Sequence, residues 1–137
     1  MAATGSKQRL GSNYRGAGVT PSLRHRKDAE QLARFADMLT AMGTEPRLRI
    51  IRLLLCAHPD GMVVGEIQAE TDIPPSTLSH HLDKLKSERL VTVTREKKFL
   101  RYSANTQTLE ELLSFLFSEC CKRSEAVNRD TILRLCR

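Results

Sequence analysis

Pro75-Ser76-Thr77-Leu78-Ser79-His80-His81-Leu82-Asp83-Lys84-Leu85 runs on through Lys86-Ser87-Glu88-Arg89-Leu90 into Val91-Thr92-Val93-Thr94-Arg95-Glu96-Lys97-Lys98-Phe99-Leu100-Arg101, and within this stretch the hydrophobic period changes. As far as about Arg89 the apolar residues Leu78, Leu82 and Leu85 recur at steps of four and three, which is one face of a helix. Ser76, Thr77, Ser79, His80, Asp83 and Lys84 fall mostly outside that row. From Leu90 to Arg95 leucine, valine and threonine alternate, and Phe99 to Ala104 has the same strand character, so Glu96, Lys97 and Lys98 read as the turn of a β-hairpin. The run Asp72 to Pro75 breaks what precedes it and starts the new helix near Pro75 or Ser76.

Working outward, Val63 to Thr71 reads as a short helix with Val64 and Ile67 inward, preceded by the turn Pro59-Asp60-Gly61. Thr44 starts a helix that tolerates Pro46 in its first turn and packs through Leu48, Ile51, Leu54 and Leu55. Ala29 to Met42 forms another, with Leu32, Phe35, Ala36 and Leu39 on one face and Gly43 as its stop. On the far side of the hairpin, Leu109, Leu112, Leu113, Leu116 and Phe117 define a strongly apolar helix that leads into Cys120 and Cys121. Two short helices joined by a tight turn and followed by a hairpin are the parts of a winged helix-turn-helix, a mainly α (α+β) fold with a two-stranded wing. The expected organisation is a basic arm over 1–28, a winged helix-turn-helix over 29–123, and a tail over 124–137.

With 137 residues the chain is one domain's length, and no apolar run approaches the roughly 18–20 residues of a membrane span. The basic N-terminus is followed by no apolar stretch of about 7–15 residues, so it does not read as a secretory signal; a cytoplasmic protein is expected. The net charge of +6 is unevenly placed. Lys7, Arg9, Arg15, Arg24, Arg26 and Lys27 lie before the first acidic residue, and the rest of the chain balances to zero. A folded part that binds nucleic acid must therefore do so through a local patch. Such a patch exists between Pro75 and Arg101, where seven basic residues face three acidic ones.

The residue types in this patch suit duplex DNA. Ser76, Thr77, Ser79 and His80 present short donors and acceptors near a helix N-terminus, where base edges and phosphates are met in this geometry. Lys84, Arg95, Lys97 and Lys98 would neutralise phosphates. The plainer alternative makes Ser76 a helix cap and the lysines a solvated face. His81, next to Leu82, reads as a partly buried packing residue rather than a base reader.

Glu45-Pro46-Arg47-Leu48-Arg49-Ile50, the serine- and histidine-rich segment Ser76 to Leu85, and Leu90-Val91 with its charged hairpin together resemble the ArsR/SmtB family of metal- and metalloid-responsive repressors. The resemblance spans roughly Ala29 to Cys121. It implies a homodimer formed through the first and last helices, operator contacts from Ser76, Thr77, Ser79 and His80, and an inducer whose binding weakens the grip on DNA. One departure is Pro74-Pro75, where many relatives carry a polar helix cap.

The inducer class follows from the donor atoms left over. A zinc-type site on the last helix needs histidines, but His25, His58, His80 and His81 all lie before Gln107. The short helix before the reading helix holds no cysteine. What remains is Cys120, Cys121 and Cys136, a soft thiolate set suited to As(III), with Sb(III) the near alternative. Neighbouring helical residues point about 100° apart, so Cys120 and Cys121 can share one ion only if the helix frays, and Cys136 must fold back or come from the other subunit. Cys56 reads as packing. The competing signal is redox or persulfide chemistry through Cys56 and a last-helix cysteine, although relatives of that kind carry a cysteine where this chain has Arg52. A thiol oxidoreductase is the remaining rival, and it lacks a Cys-x-x-Cys pair.

Overall fold

The computed structural model describes residues 22–121, with side chains as far as Ser118. The order is α1 (Leu23–Met42), α2 (Glu45–Cys56), β1 (Met62–Val63), α3 (Val64–Thr71), α4 (Pro75–Ser87), β2 (Val91–Glu96), β3 (Phe99–Ala104) and α5 (Thr106–Cys121). The arm over 1–21, the tail over 122–137 and Cys136 lie outside the described residues.

The first helix begins at Leu23 rather than at Ala29, which moves the end of the expected arm. The glycine- and serine-rich composition stops before Pro21, and the leucine, arginine, lysine and alanine that follow are good helix formers. Ser22 completes the start: its hydroxyl accepts the His25 backbone N–H at 3.5 Å and lies 2.7 Å from His25 Nδ1.

The leucine row of α4 is buried as its spacing requires, and it packs with Ile50, Ile51 and Leu54 of α2, Ile67 of α3, and Phe35, Met38 and Ala41 of α1. Leu90, Val91, Tyr102, Ala104 and Leu112 close the core from the hairpin and α5. Three helices bury a face that only partly coincides with the expected one, since Phe35, Ile51, Leu54 and Leu112 are buried as read but several of the leucines beside them are not. In α1, Met38 and Ala41 are buried with Phe35, whereas Leu32 and Leu39 are exposed. In α2, Leu48 and Leu55 point out and Ile50 points in. Leu113 and Leu116 of α5 likewise remain in solvent, with Leu112 buried and Leu109 and Phe115 packed beside it. Each helix carries more apolar residues than one chain can cover.

The hairpin forms with Val93 opposite Tyr102 and Glu96 opposite Phe99. It gains a third strand, because β1 pairs antiparallel with β3, Met62 opposite Tyr102 and Val63 opposite Arg101, giving the order β1-β3-β2. Gly61 makes this pairing feasible. It is buried at φ +69°, and a Cβ there would collide with the Ser103 hydroxyl and the Tyr102 carbonyl. The expected short helix starts one residue later than read, at Val64, with the Val63 backbone N–H donating to the Glu66 carboxylate at 2.8 Å. Asp72, in the left-handed region at φ 54°, ends α3, and Ile73-Pro74 leads directly into α4.

Candidate nucleic-acid interface

Helix α4 starts with Pro75, whose missing N–H is no loss in a first turn, and Pro74 before it offers no capping side chain. Because Leu78, Leu82 and Leu85 are fully engaged in the core, the opposite face is fixed in orientation. Ser76, Thr77, Ser79 and His80 are all exposed on the first two turns. The structure thus brings these four predicted residues onto one accessible surface, at the helix end whose dipole favours phosphates.

The predicted cations divide into two kinds. Lys84 is half-buried, and its ammonium lies 3.2 Å from Glu88, which also accepts the Ser87 hydroxyl at 3.2 Å. It is tied within the chain as well as available to the surface. Arg95, Lys97 and Lys98 are exposed at the tip of the hairpin. There the Arg95 Nε donates to the Lys97 carbonyl at 3.2 Å, and Lys98 Nζ sits 5.3 Å from the centre of the Phe99 ring. Lys97 adopts φ 54°, so the tight turn is made by a lysine where glycine or asparagine is usual.

Sequence reasoning counted Arg101 only as charge. In the fold it is a tie: its Nε pairs with Glu96 at 2.9 Å and its Nη1 donates to the Gly61 carbonyl at 3.1 Å, joining the wing to the turn before β1. Asn105 was not singled out at all. Its Nδ2 donates to the Arg89 carbonyl at 2.9 Å, its Oδ1 accepts the Thr108 N–H at 3.3 Å, and its own N–H donates to the Leu90 carbonyl at 2.9 Å. One side chain therefore caps α5 and ties it to the end of the α4 segment. An asparagine four residues before Leu109, where the apolar run starts, was the available signal.

His81 is half-buried behind His80, with ring centres 6.3 Å apart, and its Nδ1 is buried without a hydrogen-bond partner among the described residues. Burial above all, then the positive charge of Arg47 and then His80, lowers its pKa from the ordinary imidazole value. Arg47 itself donates to the Ala41 and Thr40 carbonyls and closes the C-terminus of α1. Burial first, and then the Asp83 carboxylate, raise the pKa of Tyr102. His81 is thus half-buried on α4 with its Nδ1 inward, in keeping with its position beside Leu82.

A profile described as a helix-turn-helix domain matches residues 42–94, from the end of α1 through most of β2. Nodulation protein NolR of Rhizobium meliloti is 30% identical over 108 residues, covering 79% of this chain and 84% of NolR. A Halobacterium salinarum protein assigned as arsenical resistance operon repressor ArsR2 is 33% identical over 89 residues, covering 65% of this chain and 73% of that protein. The chain belongs to the ArsR/SmtB family. It is a DNA-binding transcriptional regulator rather than an enzyme. The solution structure of a homodimeric winged helix-turn-helix domain from Mycobacterium bovis, described as an ArsR-family regulator, superimposes with TM-score 0.54 at 25% identity and covers 80% of this chain and 95% of that one.

This ArsR-family regulator has a second surface of note. Between α1 and α5 lies an open groove of about 820 Å³, lined by Leu32, Arg34, Phe35, Glu111, Phe115 and neighbouring polar residues. Phe35 and Phe115 stack at its floor with centres 4.6 Å apart, and Arg34 pairs with Glu111 at 2.8 Å. Leu113, on the other side of α5, is 65% exposed. The described backbone of α5 runs through Cys120 and Cys121, while Cys56 is exposed at the end of α2 rather than packed as expected. Among the described residues no helix is long and apolar enough to cross a membrane.

Proposed function

We propose that this regulator is a homodimeric repressor that holds operator DNA when unliganded and releases it when As(III), or Sb(III), is captured by the thiolates of Cys120, Cys121 and Cys136. The observation that carries the reading is the vicinal pair Cys120-Cys121 at the last two positions of α5, the helix that shares an exposed apolar groove with α1. Trivalent arsenic takes soft sulfur donors in preference to oxygen or nitrogen. Two adjacent residues on a helix diverge by about 100°, so joining both to one ion unwinds the final turn of α5. Cys136 completes the set from the same tail or from the other subunit.

The surface of α1 and α5 supports the dimer, because Leu32 lines the groove, Leu39 is exposed further along α1, Leu113 and Leu116 are exposed on another face of α5, and the homodimeric neighbour has the same fold. In such a dimer the two α4 helices enter successive major grooves, about 34 Å apart, with Ser76, Thr77, Ser79 and His80 on base edges and Lys84, Arg95, Lys97 and Lys98 on phosphates. Unwinding the end of α5 shifts the contact with α1 of the partner and so the spacing of the α4 helices. A coupling of about 1–3 kcal/mol per site, twice in a dimer, approaches the roughly 5.5 kcal/mol that a near-complete switch requires.

The test uses a fluorescent duplex recovered by selection from a randomised library, bound to wild type, Cys120→Ser/Cys121→Ser and Cys136→Ser, with and without arsenite. The double variant is expected to bind the duplex normally and to ignore arsenite. Normal release from the double variant refutes the site. Release of the wild type by diamide or polysulfide but not by arsenite replaces the metalloid signal with a redox one.

A further inference from the structure

We propose that the tip of the wing is an apolar wedge, Phe99 with Leu100, that enters the minor groove of the duplex read by α4 and bends it. This rests on the DNA-binding reading and adds a mechanical role to it. The turn itself is Lys97-Lys98, and the first two strand residues behind it are apolar and open, Phe99 54% and Leu100 45% exposed. The register places them on opposite faces of the ribbon, Phe99 with Glu96 and Leu100 with Arg95, so each face behind the lysine turn carries one apolar side chain, and the two-stranded ribbon is thin enough to approach between two backbones.

The surrounding charge selects DNA as the occupant over an apolar protein surface. Arg95, Lys97 and Lys98 all lie within four residues of Phe99, and the Lys98 ammonium stands over its ring. The one carboxylate at the tip, Glu96, is held by Arg101 at 2.9 Å and is thereby neutralised toward phosphates. Arg101 also grips the Gly61 carbonyl, so the ribbon behind the tip is braced against the body of the domain. A braced, cation-flanked apolar tip matches the side-chain wedges that part base steps and kink a duplex toward the major groove.

The experiment compares wild type, Phe99→Ala, Phe99→Trp and Lys97→Ala on the selected duplex labelled at both ends. Bending is read by energy transfer, affinity by anisotropy across a salt series, and assembly size by sedimentation. Phe99→Ala is expected to straighten the duplex and to weaken binding by about tenfold with the salt slope unchanged. Phe99→Trp keeps the bend. Lys97→Ala keeps the bend and lowers the salt slope by about 0.9. A wild-type bend and affinity in Phe99→Ala overturns the wedge and leaves DNA binding intact. A smaller assembly for Phe99→Ala with an unaltered bend also overturns it and assigns the patch to protein contact. Failure of the wild type to bind any selected duplex removes the DNA reading itself and the wedge with it.

Discussion

Replacing Asn105 by alanine removes two bonds that no neighbouring group can replace. The first is the cap to the Thr108 N–H, worth about 1 kcal/mol. The second is the bond from Nδ2 to the Arg89 carbonyl, worth about 1 kcal/mol in a half-buried setting. The expected loss is about 2 kcal/mol. For a domain of this size the urea slope lies near 1–3 kcal/mol per molar, so at about 1.5 the midpoint falls by about 1.3 M. Asn105→Asp separates the two contributions. It retains the acceptor for Thr108 and gains about 0.5 kcal/mol from a negative charge at the start of α5, but it loses the donor to Arg89 and sets a carboxylate against that carbonyl. Its net loss should be about 1 kcal/mol, between wild type and alanine. Urea unfolding at one fixed protein concentration measures this, since subunit association would otherwise move the midpoint. If both variants unfold within about 0.5 kcal/mol of wild type, Asn105 is not the joint described.

Gly61→Ala forces a side chain into a left-handed position against the Ser103 hydroxyl and the Tyr102 carbonyl, so a loss of about 2–4 kcal/mol is expected by thermal or urea unfolding; a neutral result would mean that β1 does not pair with β3 as described. His81 gives a pH dependence. Its folded pKa is lowered, so below the ordinary value of about 6.5 the unfolded chain binds the extra proton first, and stability complete above that value is lost as pH falls through the folded one. The unfolding midpoint of the wild type should therefore drop more steeply between about pH 7 and pH 5 than that of His81→Leu; equal slopes would rule out His81 as the source.

The parts that were legible in the sequence are those where one period and one neighbour decide the outcome. Leu78, Leu82 and Leu85 are spaced for a single face, and that face is buried. The threonine and valine alternation marks β2, and the charged run Glu96-Lys97-Lys98 marks its turn, although Glu96 belongs to β2 and the turn is Lys97-Lys98 alone. The faces of α1, α2 and α5 are legible only in part for a common reason: beside Phe35, Ile51, Leu54 and Leu112, which are buried as their spacing suggests, each helix carries further apolar residues, and spacing alone does not say which the chain covers itself. Leu32 and Leu39 form as good a helical row as Phe35 and Met38. Arg101 and Asn105 escaped notice because their roles are long-range, with partners at Gly61 and Arg89 that no local pattern connects. The third strand escaped for the same reason, since two residues at Met62 and Val63 have no period. In the candidate site, the exposed order of Ser76, Thr77, Ser79 and His80 followed from the leucine row, whereas the pairing of Lys84 with Glu88 depends on side-chain geometry.

The misread stripes bear directly on the proposed switch. Leu32, Leu39, Leu113 and Leu116 are each about half exposed, and covering one of them stabilises by about 1 kcal/mol. In a twofold contact each counts twice, for about 8 kcal/mol, which lies within the roughly 4–15 kcal/mol cost of association. An interface made from these leucines is thus close to balance. In the proposed switch it would hold the two α4 helices at a set spacing only while the end of α5 stays ordered. The unwinding that the proposed ligation of Cys120 and Cys121 demands would then act where about 1–3 kcal/mol is a large share of the net energy. A tighter core along these helices would have made α1 and α5 easier to read in the sequence, and would leave the ligand proposed at the end of α5 too little leverage to move the two α4 helices.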